Sequence, residues 1–237
     1  VTATITSWLI LPGAPTYDVP AHGASAAAIA WAIGFGPVAG VAAALYTKAI
    51  AWADTLRPKG WPRLAMPVVV LAALGCVAIA FPQLLGNGKD VAQRAFLGEM
   101  ALPLLALLVV MKPLATAACL GSGTPGGLFT PTLTFGALLG GLLGAVWNLW
   151  LPGVSGGLAA VVGAAAVWAA ASQGPVSALV MMSELTWRSG PSIVPQLLAV
   201  GGAVFVARRI EPRSIYSARV HAGRGDEASG KAPSRAA

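Results

Sequence analysis

From Pro113 to Ser183 the chain carries no charged side chain, and that run decides most of what it can fold into. Water-soluble domains place about one charged residue in four along their length. Here charged residues make up 10% of the sequence and hydrophobic ones 57%. Crossing the hydrocarbon of a bilayer takes about 20 apolar residues in helical form. The runs Val19 to Thr47, Leu64 to Gly88, Pro113 to Ser183 and Ser189 to Ala207 approach or exceed that length. The expected fold class is all-α: a polytopic membrane protein with the lipid bilayer as its solvent.

Glycine and proline punctuate these runs. Helices are expected from about Ala24 to Trp52, with GFGP at Gly34 to Pro37 as a kink, and from Leu64 to Phe81. A short amphipathic stretch follows at Val91 to Gly98, then helices at Ala101 to Leu120 and Leu128 to Trp150. The last ones run from Leu158 to Ala171, Val176 to Trp187 and Ser192 to Ile210, with a final turn at Ser214 to Val220. Several are shorter than a full span, so tilted and broken helices are expected, an arrangement that marks binding sites near the membrane midplane. Gly136, Gly140 and Gly144 recur every fourth residue on one helical face, which lets a neighbouring helix approach closely. Residues 1–222 read as the transmembrane region. The remainder, 223–237, is Gly, Ser, Ala and charge without periodicity and reads as a disordered tail. The chain opens on Val1 without a basic, cleavable leader, and the expectation is that it begins partway through a longer protein.

The excess of 15 Lys and Arg over 8 acids marks orientation rather than a nucleic-acid patch. Lys48, Arg57, Lys59 and Arg63 cluster in one connection, and Arg208, Arg209, Arg213 and Arg219 near the C-terminal end, so both regions are expected on the cytoplasmic side. Cys76 and Cys119 lie in separate apolar segments and read as buried thiols; His22 and His221 stand alone. No metal spacing, cofactor motif or grouping of nucleophile, base and orienting residue points to an enzyme. Glu184 is the one acid between Glu99 and Glu211, and is expected to pair with Arg188 four residues on. Lys112 is expected to snorkel.

The segment with chemical character is GSGTPGGLFTP, Gly121 to Pro131. Irregular backbone at membrane depth survives where protein packs it or where it lines a cavity. A helix that starts there aims unpaired N–H groups and the positive end of its dipole inward, a seat for a small anion that needs no full positive charge.

At this segment the sequence resembles the CLC family of chloride channels and chloride/proton antiporters, through GxFxP at Gly127 to Pro131. Three landmarks accompany it in the family's order: GNGKD at Gly86 to Asp90, GPVSALVMMSELT at Gly174 to Thr186, and RSIYSARV at Arg213 to Val220. The resemblance implies the second half of the family's inverted repeat, covering about Gly34 to Val220. It implies a bound chloride held at Gly127 by the amides of Leu128 and Phe129 and by the hydroxyl of Tyr216, with no other cofactor. Ser122 sits in GSGTP, which imitates a first-half motif, and is not assigned to the anion. Nothing in the chain matches the GxEGP gating motif or the internal proton-relay acid. Channel and antiporter therefore stay open, as does the choice among chloride, fluoride and nitrate. The resemblance further implies an integral protein of the plasma (inner) membrane and a homodimer, with Ala159 to Trp187 and Ser192 to Ala207 in its interface. A non-conducting assembly subunit and a secondary transporter for another anion are the alternatives.

Overall fold

The computed structural model describes residues 15–20, 23, 25–187 and 192–220. The tail at 223–237, both histidines and Arg188 lie outside them. Among the described residues every regular element is helical: α1 (Ala26–Thr55), α2 (Pro62–Ala80), a 3-10 turn (Pro82–Leu84), α3 (Lys89–Leu97), α4 (Leu102–Gly121), α5 (Phe129–Asn148), α6 (Gly156–Ser172), α7 (Pro175–Thr186) and α8 (Ile193–Ile210). A terminal helical turn spans 215–220.

The boundaries have local causes. Ser25 caps α1 by accepting the Ala28 N–H at 3.0 Å, and its own hydroxyl donates to the Gly153 carbonyl at 2.9 Å. Proline in the first turn opens α2, α4 and α7, where its missing N–H costs no helical bond. Gly88 and Gly98, both left-handed, delimit α3. Pro37 lies inside the continuous α1, so GFGP does not divide it. Among the described residues, five spans are long and apolar enough to cross a membrane: α1, α2, α4, α5, and Ile193–Val220, which joins α8 to the terminal turn.

The core is α6, with every residue from 157 to 171 buried. Helix α5 packs along one side of it, and α8 and α1 cover others. The expected glycine face produces this contact. A Cβ on Gly136 would stand 2.5 Å from the Gly163 carbonyl oxygen, and one on Gly140 would collide with the Ala159 carbonyl. Because α6 is wrapped by its own chain, it presents no surface for an interface, which corrects the expectation for its part of Ala159 to Trp187. Within the two stretches expected at the interface, exposed apolar residues stand on α7, at Val176 and Val180, and on α8, at Val194 and Leu197.

Two further expectations change. Cys76 is exposed, because α2 buries Ala78 alone and turns its remaining residues outward. Lys112 does not snorkel: it is 3% exposed. The α2–α3 link folds back over α4, and its carbonyls lack helical donors. The three N–H donors of the Lys112 ammonium are shared among those of Gln83, Leu84, Leu85 and Gly86, at 3.0 to 3.3 Å. The same link is pinned to α5 where Thr134 Oγ1 donates to the Gly88 carbonyl at 3.0 Å.

Substituting Gly140→Leu should destabilise the purified protein by about 1–3 kcal/mol through overpacking. Gly141→Ala, whose new Cβ would meet Leu105 at an ordinary 3.6 Å, should stay within about 0.5 kcal/mol. Thermal unfolding in detergent distinguishes the two. In the same assay Lys112→Met should cost about 1–3 kcal/mol, because it removes the donor from buried carbonyls; a melting point equal to that of the unmodified protein would contradict the clamp.

Candidate functional site: a main-chain amide wall facing Tyr216

The glycine-rich turn begins by closing α4. The amides of Ser122, Gly123 and Thr124 donate to the carbonyls of Ala118, Leu120 and Cys119 at 2.9, 3.0 and 3.2 Å. Gly123, at φ 94°, supplies the left-handed step this needs. Ser122 is buried; its hydroxyl donates to the Cys119 carbonyl at 2.7 Å and lies 2.9 Å from Thr124 Oγ1. Its proton is thus committed to the end of α4, in keeping with its exclusion from the anion site.

Pro125 to Gly127 then run without regular structure to Leu128, whose side chain is 2% exposed and anchors the turn. The Leu128 carbonyl accepts both the Thr132 N–H, at 3.1 Å, and Thr132 Oγ1, at 2.7 Å. That is the first bond of α5. No carbonyl among the described residues accepts from the amides of Leu128, Phe129 or Thr130, and Pro131 has none to offer. The wall of donors expected from the sequence is therefore present, at the positive end of the α5 dipole.

Tyr216 reaches the same region from the far end of the chain. After α8, buried Glu211 binds Arg213 at 2.7 Å, and Ser214 Oγ accepts the Ser217 N–H at 3.2 Å to start the terminal turn. Ile215 is fully buried beneath it. Gln173, at the end of α6, braces this link by donating Nε2 to the Glu211 carbonyl and accepting from Arg208 Nε. Trp168 joins the two elements. Its ring meets Phe129 edge-on at 4.8 Å and Tyr216 edge-on at 6.2 Å. Sequence reasoning passed over this residue; its signal is a lone aromatic in a helix otherwise built of Ala, Val and Gly with one Leu and one Ser.

A cavity of about 330 Å³ borders the turn between α2 and α4, lined by Leu71, Leu74, Lys112, Thr116, Cys119 and Gly127 among others. Gly127 is exposed, with nothing within 4 Å of where its Cβ would stand. The dry, enclosed seat expected from the sequence is not closed by the described residues. The cations of this region are partnered: the Lys112 ammonium is ringed by carbonyls, and Arg219 is paired with Asp54 at 3.1 Å. Glu184 is exposed on α7, and its expected pairing with Arg188 lies outside the described residues. No group of three potential metal ligands occurs among the described residues.

The basic clusters at the end of α1 and in the terminal turn meet through the Asp54–Arg219 pair, so they share one side of the molecule as their charge pattern implied.

Comparison with known proteins agrees with this architecture. Residues 1–208 match the model of the voltage gated chloride channel family. The chain is 34% identical over 193 residues to the voltage-gated ClC-type chloride channel ClcB of Citrobacter koseri, across 78% of this chain and 45% of the relative. It is 32% identical over 149 residues to the H(+)/Cl(-) exchange transporter ClcA of Vibrio parahaemolyticus, across 62% of this chain and 32% of the relative. A slow cyanobacterial Cl−/H+ antiporter of known structure superposes with a TM-score of 0.84 at 21% identity, over 97% of this chain and 54% of that one. The chain thus spans about half the length, or less, of the relatives it matches. The family match covers most of the chain, and five described spans are long and apolar enough to cross a membrane; the chain is an integral membrane protein segment and belongs to the voltage gated chloride channel family.

Proposed function

We propose that this chain forms the C-terminal half of a chloride-transporting protein and supplies one wall of its anion pathway. The observation that carries the reading is the set of unaccepted amides at Leu128 and Phe129, on an element linked to Tyr216 through Trp168, whose ring touches both Phe129 and Tyr216. Chloride must lose much of its water shell to pass a narrow site. Partial charges from N–H and O–H donors replace that shell without the tight hold that a lysine or arginine would impose. Gly127 contributes by having no side chain, which leaves the amides open to the pathway.

The relatives include a channel and an exchanger, and the anion wall proposed here serves either. The bound group is chloride itself, with no organic cofactor. The full protein lies in the plasma membrane with its C-terminal end cytoplasmic, as the shared side of the two basic clusters favours. It works as a homodimer whose interface includes the bare apolar faces of α7 and α8.

The test is chloride efflux from liposomes holding the full-length protein, with chloride affinity measured by calorimetry. The expected result is flux from the unmodified protein. Tyr216→Phe should weaken chloride about tenfold, since a hydrogen bond to a charged group contributes about 1.5–3 kcal/mol. Absence of flux and of binding from well-folded protein would contradict the function. Unchanged affinity in Tyr216→Phe would remove that residue from the site.

A further inference from the structure

The amide wall and Tyr216 are separated in sequence, yet the C-terminal end of α1 touches the elements that carry both. Gly121, where the turn begins, packs on Ala53 so closely that a Cβ would stand 3.1 Å from its carbonyl oxygen. Arg57 donates Nε to the Leu120 carbonyl at 3.3 Å, the residue just before the turn, and Nη2 to Asp54 Oδ1 at 2.9 Å. The same carboxylate oxygen accepts Nε and Nη2 of Arg219 at 3.3 and 3.1 Å, three residues beyond Tyr216. The Asp54 side chain is 8% exposed.

We propose that Asp54, with Arg57 and Arg219, is a bracket that positions the Tyr216 hydroxyl relative to the glycine-rich turn. This deepens the function proposed above and rests on its assignment of Tyr216 and the amides to the anion. A carboxylate withdrawn from water is stable where cations and hydrogen bonds compensate it. Guanidinium groups are planar forks that fix direction as well as distance, in contrast to an ammonium. One guanidinium reaches the turn, the other holds the segment bearing Tyr216, and the carboxylate joins them. An asparagine at 54 keeps the shape but removes the charge, and two guanidinium groups then converge on a weak acceptor. The terminal turn would retain the buried Ile215 and the Trp168 edge contact without its ionic tie to α1. Asp54, Arg57 and Arg219 are positioning residues; the structure gives them no contact with the anion wall itself.

The experiment uses the full-length protein with fluorotyrosine at position 216, read by fluorine NMR, alongside chloride calorimetry. Asp54→Asn should broaden or split the fluorine resonance and weaken chloride about tenfold, the lower end of what losing an orienting partner does at metal sites. Asp54→Glu should restore a single resonance and most of the affinity. In a double-mutant cycle, Asp54→Asn should cost less than about twofold once Tyr216→Phe is present, because both act through one hydroxyl. A resonance and affinity like those of the unmodified protein in folded Asp54→Asn, or losses that simply multiply, would overturn the proposal. If the unmodified protein binds no chloride, the proposed function falls, and the fluorine spectra still decide whether Asp54 places Tyr216. Should Asp54→Asn not fold, Arg219→Gln removes the same tie while leaving the Asp54–Arg57 pair intact, and is read in the same two ways.

Discussion

A backbone amide inside a membrane must find an acceptor, and the start of α5 is one place where the described residues leave that demand open. Thr132 takes the Leu128 carbonyl with both its amide and its hydroxyl, while the amides of Leu128 and Phe129 donate to no described carbonyl. Everything around the turn holds that arrangement in place. The amides of Ser122, Gly123 and Thr124 donate to carbonyls of α4, the Leu128 side chain is buried, and the apolar bulk of Trp168 sits against Phe129. An unpaired donor in hydrocarbon is costly, so the turn is stable where something electron-rich takes those protons.

Small residues make such a turn affordable within a compact bundle. Helix α6 is buried on every side because Gly136, Gly140 and Gly163 let α5 approach its backbone. Gly36 and Gly40 do the same for α1 against α8 near Ala199 and Ala203. Lipid tails are as apolar as leucine, so helices in a membrane associate through close packing rather than through water exclusion. That rigid block carries Trp168, and Trp168 in turn meets both Phe129 and Tyr216.

Much of this was legible in the sequence. The eight helices fall within a few residues of the segments read from apolar runs and from Gly and Pro breaks, since hydrocarbon length and backbone satisfaction are local demands. The donor wall at Leu128 and Phe129 was legible for the same reason. What escaped depends on where distant segments land. Lys112 is a lone cation in an apolar run, and nothing near it in sequence reveals the carbonyls of residues 83–86 that surround it. Asp54 and Arg219 belong to connections read as orientation signals, and their pairing needs the fold. Cys76 was misread because an apolar helix in a membrane protein can face outward; apolarity there does not imply burial inside the protein. The enclosure of the seat could not follow from this chain, whose wall ends at an open Gly127.

Anomalous scattering from bromide-soaked crystals of the full-length protein addresses the central claim most directly, because bromide mimics chloride and marks its own position. The account predicts a peak within hydrogen-bonding reach of the Leu128 and Phe129 amides and the Tyr216 hydroxyl. Finding those amides bonded to carbonyls of the N-terminal half, with bromide bound elsewhere or not at all, would contradict it.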